Sequence, residues 1–256
     1  MFLSQLLVNT AGNPDQPRPG RDWVRQTYRV HQRIWMAFPD ENKRKADPFF
    51  LGTWSDSDGP KPRRSETGFL FRVEPDLPTR VLVQSVFRPD WDYAFQNARQ
   101  LLEAPPVVRE FDPALKVGLN YRFRLAMLMV KRRTAKGSEK GKPAEHPIRC
   151  FLPSSTPGGP LLPDPKFTAW REKLTSDASR HGFELGEFSA RLSVTPVRSL
   201  QMKPGTDGKA MPFNAAMFEG ELRCVDAEKL KTALVTGIGR GKAFGMGLLS
   251  LAVLKS

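Results

Sequence analysis

Apolar residues crowd Phe2 to Val8 into a short strand-like run, then recur at every third or fourth position from Asp22 to Phe38, the period of an amphipathic helix. Extended runs follow at Gly68 to Val73 and Arg80 to Phe87, joined by a Pro-containing turn, and helical spacing returns from Trp91 to Leu102. A strand near Val107 to Phe111 completes the order β-α-β-β-α-β, a split β-α-β unit. The second half repeats that order: a strand from Tyr121 to Val130, a helix from Phe167 to His181, strands near Phe183 to Val194 and Met211 to Cys224, a helix from Asp226 to Val235 and a last strand from Leu248 to Leu254. The pattern predicts an α+β chain of two tandem ferredoxin-like domains, residues 1–115 and 116–256, duplicated in architecture without clear sequence repetition. Thr10 to Gly20, Asp40 to Glu66 and Thr134 to Pro165, rich in Pro, Gly, Lys, Arg and Ser, read as loops outside this plan.

On the first predicted helix, Val24, Tyr28, His31, Trp35 and Phe38 follow one face, and Val30 and Ile34 widen it. His31 therefore lies on the buried side or at its edge, one turn from Tyr28, so the two rings can point into the same space. A histidine so placed is either a packed core residue or a proton carrier, and spacing leaves both open. Arg25, Arg29 and Arg33, spaced by four, form a separate stripe whose default role is solvation. His146 falls in a low-complexity loop and His181 at a helix end, outside any such constellation.

Between the last helix and the last strand stand Gly237, Gly239, Gly241, Gly245 and Gly247, with Arg240 and Lys242 among them. Glycine is needed where φ turns positive or where another backbone must come close, and clustered amides can hold an anion. The mononucleotide P-loop is excluded, because Thr236 and Ala243 occupy positions that need Gly and Ser or Thr. The dinucleotide fingerprint is excluded by order, since here a helix precedes the glycines and a strand follows. An anion-contacting loop and a plain helix C-cap with a tight turn both remain.

Charge bears on that choice. Forty Lys and Arg against 27 Asp and Glu leave a formal +13, spread along the chain, as expected of a protein that meets a polyanion, nucleic acid foremost. No run of eighteen apolar residues and no basic stretch ahead of an apolar core argues for a membrane partner or export, so a cytoplasmic protein is expected. The two cysteines, Cys150 and Cys224, stand far apart, and no second ligand cluster accompanies them, so neither a disulfide framework nor a metal site is expected. The basic clusters Lys43 to Lys45 and Arg63 with Arg64 lie in predicted loops, as nucleic-acid contacts or solvated charge.

Five stretches together resemble one family. They are Tyr28-Arg-Val-His31-Gln-Arg-Ile-Trp35, Phe69-Leu-Phe-Arg-Val-Glu74 followed by Val81-Leu-Val-Gln-Ser85, Tyr121-Arg-Phe-Arg-Leu125, Phe218-Glu-Gly220, and the block from Gly237 to Leu251. In this order they look like the CasE family, the CRISPR RNA-processing endoribonucleases of the type I-E Cascade complex. The resemblance implies tandem ferredoxin-like domains of the RNA-recognition-motif kind, a CRISPR repeat hairpin as RNA partner, other Cascade subunits as protein partners, and no cofactor or metal. It implies His31 as catalytic residue with Tyr28 as companion, and cleavage on the 3′ side of the hairpin to leave a 2′,3′-cyclic phosphate and a 5′-hydroxyl. A basic hairpin entering the RNA stem would match Arg198, Lys203 and Lys209 around Pro204-Gly-Thr-Asp-Gly208. The glycine loop would lie near the cleft, with Gly239, Arg240, Gly241 and Lys242 as RNA contacts. Some relatives carry a basic residue or histidine five positions after the catalytic one, where this chain has Met36, so the phosphate-stabilising cation is left among Arg33, Lys43 and Lys242.

Such chemistry suits these residue types. The ribose 2′-hydroxyl is an internal nucleophile, so the protein has to align it with the leaving 5′-oxygen and move protons. Imidazole exchanges protons near neutral pH, a phenol can orient ribose or phosphate by hydrogen bonding, and a cation offsets charge on the phosphorane. Two other classes remain from the residues: a non-catalytic RNA-binding subunit in which Tyr28 and His31 merely pack, and an anion-binding module without RNA specificity.

Overall fold

The computed structural model describes residues 1–10, 18–38, 68–74, 76, 78–133, 144–147, 165–192 and 215–254. The chain divides into two compact units, Met1–Ala114 with Lys231–Leu248, and Leu115–Leu230 with Leu249–Ser256. Packing thus assigns Lys231–Leu248, which comes from the second half of the chain, to the first unit.

The first unit contains β1 (Phe2–Leu7), α1 (Pro19–Arg25), α2 (Thr27–Trp35), β2 (Phe69–Glu74), β3 (Arg80–Ser85), α3 (Trp91–Phe95) and β4 (Val107–Glu110). Its strands pair antiparallel in the order β2-β3-β1-β4, with Ser4 opposite both Val83 and Val108. Side chains alternate across a strand. Leu6 and Val8, Phe71, and Val81 with Val83 accordingly share the face that packs on Trp23, Val30, Ile34, Ala37, Trp91 and Phe95.

The second unit contains β5 (Asn120–Leu128), β6 (Val130–Arg133), β7 (Ala144–Pro147), α4 (Pro165–Arg180), β8 (Phe183–Leu192), β9 (Ala215–Cys224) and β10 (Leu249–Val253). A last helix, α5 (Ala227–Thr236), starts in this unit and runs into the segment that packs with the first. The sheet order β10-β5-β9-β8 repeats the topology of the first sheet, with the opening strand between the third and fourth. Both units are ferredoxin-like, and the fold is α+β.

Three expectations change. The single helix from Asp22 to Phe38 is two helices broken at Gln26, whose φ of −108° and ψ of 77° leave the helical region. Gly20 explains the break: a Cβ there would stand 2.3 Å from the Asn9 carbonyl oxygen and 2.8 Å from that of Leu101, so α1 is wedged against backbone. Arg33, by contrast, ties α2 to Ala94 and Asn97, and one straight rod does not serve both dockings. The bend also dissolves the proposed arginine stripe, since Arg25 pairs with Asp22 on α1 while Arg33 turns inward on α2. The helix expected over Trp91 to Leu102 stops at Phe95 and resumes only as a 3₁₀ turn over Arg99–Leu101. Finally, the loop expected over Thr134 to Pro165 includes β7, which pairs antiparallel with β6.

Gly20→Ala is expected to destabilise the protein by more than the ~1–3 kcal/mol usual for overpacking, because the obstructing atoms are backbone oxygens that cannot rotate away. Urea unfolding followed by circular dichroism checks this, and a loss below ~1 kcal/mol would contradict the wedge.

Candidate active site

Helix α2 sets the site by its phase. Val30 and Ile34 are wholly buried, which puts His31 at the rim of the core and Tyr28 beyond it, 44% exposed. The His31 ring is framed by aromatic rings: Phe69 at a centroid distance of 5.2 Å, Trp35 at 5.8 Å edge-on, and Tyr28 and Phe71 each at 6.1 Å. Phe69 and Phe71 reach it together because they are two apart on β2 and point to one face. The Nδ1 atom of His31 is buried while the residue keeps partial exposure, so that exposure comes from other atoms.

The glycine loop closes on the same place. Its glycines at 237, 239, 241, 245 and 247 all have φ between 72° and 87°, the left-handed region that other residues occupy at a cost. Three of them also make room: a Cβ on Gly247 would lie 2.8 Å from the Ile238 carbonyl oxygen. A Cβ on Gly237 would lie 2.8 Å from Leu70 Cδ2 and 2.9 Å from the Gly247 carbonyl, and one on Gly245 would lie 3.2 Å from the Phe71 ring. Leu70 and Phe71 point to opposite faces of β2, and β2 is an edge strand, so the loop wraps that edge. Within the loop a 3₁₀ turn over Lys242–Phe244 packs on α2 and sets Phe244 6.0 Å from Tyr28.

The amides of the loop are only partly available to an anion. Those of Gly237, Ile238, Phe244, Gly245 and Met246 donate to carbonyls of the same segment. The surface that remains is Gly239 and Arg240, both exposed, with Gly241 and Lys242 half-buried beside them. The Lys242 ammonium donates to the Thr236 carbonyl at the end of α5. Bonded amides and exposed surface are therefore divided along the loop.

Arg33 is engaged elsewhere: its guanidinium donates to the Ala94 carbonyl and to Asn97 Oδ1, each at 2.9 Å, and burial lowers its pKa from the ordinary guanidinium value. Met36 is 2% exposed and belongs to the core, so that position supplies hydrocarbon. Arg198, Lys203, Lys209, the turn Pro204 to Gly208, Lys43 to Lys45, Arg63 and Arg64 lie outside the described residues. Among the described residues no three His, Cys, Asp or Glu gather as a metal site, and no helix is long and apolar enough to cross a membrane.

Comparison with known proteins gives the chain its relatives. The family model described as CRISPR associated protein matches residues 1–252. The chain belongs to that family. The CRISPR-associated endoribonuclease Cse3 of Thermus thermophilus is 33% identical over 192 residues, covering 72% of this chain and 79% of the relative. The Cascade subunit CasE of Escherichia coli K12 is 26% identical over 261 residues, covering 99% of this chain and 100% of the relative. A solved structure of Cse3 bound to a 19-nucleotide RNA superposes with a TM-score of 0.63 at 28% identity, over 98% of this chain and all of that one. The CasE resemblance expected from the five sequence stretches is thus established.

Several residues of this CRISPR-associated protein's site were not singled out from sequence. Phe69 and Phe71 join Trp35, already placed on the His31 face, in enclosing the imidazole, Phe244 covers Tyr28, and Arg72 with Glu74 lies under the loop. The alternation Phe69, Phe71, Val73 carried a signal for the first two, because it marks the helix-facing side of β2. Nothing local pointed to Phe244 on Tyr28, which depends on contact across more than 200 residues of chain.

Arg33→Met is expected to cost ~1.5–3 kcal/mol, the range for hydrogen bonds made by a charged donor, whereas Arg25→Met, at an exposed pair with Asp22, is expected to change stability by less than ~0.5 kcal/mol. Paired urea titrations check the contrast, and equal midpoints for the two variants would remove the structural assignment of Arg33.

Proposed function

We propose that the protein is a metal-independent endoribonuclease that binds a CRISPR repeat hairpin and cleaves precursor CRISPR RNA on its 3′ side. The 2′-hydroxyl next to the scissile phosphate attacks, the 5′-oxygen leaves, and the ends are a 2′,3′-cyclic phosphate and a 5′-hydroxyl. The product stays bound, and the protein serves as a Cascade subunit. The observation that carries this is the meeting of His31, Tyr28 and the cation-bearing glycine loop within one packed unit. Further support comes from the formal charge of +13 and from relatives named as a CRISPR endoribonuclease and a Cascade subunit.

In this mechanism His31 moves the proton, as general base toward the 2′-hydroxyl or general acid toward the leaving oxygen. With Nδ1 buried, Nε2 is the nitrogen assigned to the proton transfer in this reading. The surrounding rings hold the imidazole in orientation, which is the requirement for in-line attack by a neighbouring hydroxyl. Tyr28, the most exposed of these rings, orients ribose or phosphate through its hydroxyl in this mechanism, and its exposure supports that role. Of the three candidate cations, Arg33 is engaged by Ala94 and Asn97, while Lys242, on the loop with its ammonium on the Thr236 carbonyl, and Lys43, outside the described residues, both stay open for this role. Gly239, Arg240 and Gly241 complete the RNA-contacting loop, and Arg198, Lys203 and Lys209 are retained as contacts to the stem, which proteins read through shape, phosphates and 2′-hydroxyls. The division by chain order into 1–115 and 116–256 and a cytoplasmic location belong to the same proposal.

Incubation with the cognate repeat RNA in chelator, with identification of the product ends, tests this directly. Cleavage is expected to proceed, to fall by ~10²–10⁴ or more in His31→Ala with hairpin binding largely kept, and to stop on a substrate with 2′-deoxyribose at the cut site. Full activity in His31→Ala, or a metal requirement, would refute the mechanism. Binding that survives in a wild type unable to cut would point to a non-catalytic RNA-binding subunit, and equal binding of a scrambled hairpin to an unspecific anion-binding module.

A further inference from the structure

The outer face of β2 and β3, opposite the helices, should be solvated by its composition, yet it holds a buried ion pair. Arg72 is 2% exposed and Glu74 6%. The Arg72 guanidinium is used on three sides: Nε donates to Glu74 Oε1 at 2.8 Å, Nη2 reaches the same oxygen at 2.6 Å, and Nη1 donates to the Leu248 carbonyl at 3.0 Å. A buried pair of this kind is often no more stabilising than hydrocarbon of the same volume, so its retention calls for a reason other than stability. The reason lies in where the third bond goes.

Leu248 is the last residue of the glycine loop, directly after Gly247, whose carbonyl accepts from the Ile238 amide at 2.9 Å and so closes the loop at its base. On the same face of β2, Leu70 receives Gly237, and its register partner Gln84 on β3 donates to the Leu234 carbonyl of α5 at 2.5 Å. Entry, base and exit of the loop are thus held by Gln84, Leu70 and Arg72 in a row. Beyond the closed base hangs the 3₁₀ turn that brings Phe244 to Tyr28.

We propose that Arg72, oriented by Glu74, is a positioning residue that sets the glycine loop through the Leu248 carbonyl and so places Phe244 against Tyr28. Its kinetic consequence rests on the nuclease reading above; its structural consequence does not. A lysine cannot replace it, because one ammonium has no rigid fork with which to serve a carboxylate and a carbonyl on different sides.

Two variants and two readouts test the assignment. Arg72→Lys keeps the charge and loses the fork; Arg72→Met with Glu74→Leu removes both buried charges, so that folding is kept while the hold on Leu248 is lost. In both, hydrogen exchange is expected to lose protection in residues 237–248 while β8 and β9 keep theirs. With the repeat hairpin, kcat is expected to fall ~10- to 100-fold, the scale for misplacing a site by about 1 Å, with the hairpin Kd near its wild-type value. Unchanged protection of 237–248 in the double variant would overturn the proposal, as would wild-type kcat in that variant, or a loss of protection spread over the whole chain in both variants. If the wild type does not cleave the hairpin, the nuclease reading fails alone, and the exchange data still decide whether Arg72 holds the loop.

Discussion

Backbone packed more tightly than a Cβ permits joins residues 237–248 to the edge of the first sheet, and the candidate site exists only because of it. At Gly237 the neighbours are a leucine methyl on one side and a carbonyl of the same loop on the other, so any side chain would force the two apart. With the edge strand wrapped, the cations of the loop and the imidazole of α2 fall within one packed unit. The wrapping has a second effect, because an edge strand with unpaired backbone invites pairing with other chains, and a segment laid across it blocks that.

From that clasp a file of rings runs back through the core. Phe244 meets Tyr28, Tyr28 meets His31, His31 meets Phe69, Phe69 stacks on Phe38 at 5.3 Å, and Phe38, Trp91, Phe95 and Trp23 continue the series to α1. Each such pair adds about 0.5–1.5 kcal/mol beyond its buried area, and each restricts the tilt of the next ring. His31 is packed on its Nδ1 side and partly exposed elsewhere. In the proposed reaction this combination would suit proton transfer, since an imidazole held on one side has little orientational freedom to lose when substrate arrives.

The same strand order is built twice, yet the two repeats are not used alike. In the first unit the outer face of β2 and β3 carries Arg72, Glu74 and Gln84 and is covered by the segment from Lys231 to Leu248. Burial of two charges there is tolerable because the guanidinium has its carboxylate and a carbonyl within hydrogen-bond distance. Duplication supplies the framework, and a few polar side chains on one face give it a site.

Periodicity and residue type were enough for the two β-α-β-β-α-β repeats, for the helix face that carries Tyr28 and His31, and for the glycines at turns, because each is dictated by neighbours a few positions away along the chain. The break at Gln26 was not legible there, since it arises from Gly20 docking against carbonyls of Asn9 and Leu101. Nor was the fate of the arginines: on α2 Arg33 looks like any solvated cation until Ala94 and Asn97 meet it, and on β2 Arg72 looks exposed until the loop covers it. Local spacing fixes which way a side chain leaves its own element, but what stands opposite is decided by segments tens to hundreds of residues away, and for a charged side chain that neighbour determines whether it faces water, holds the fold or serves the site.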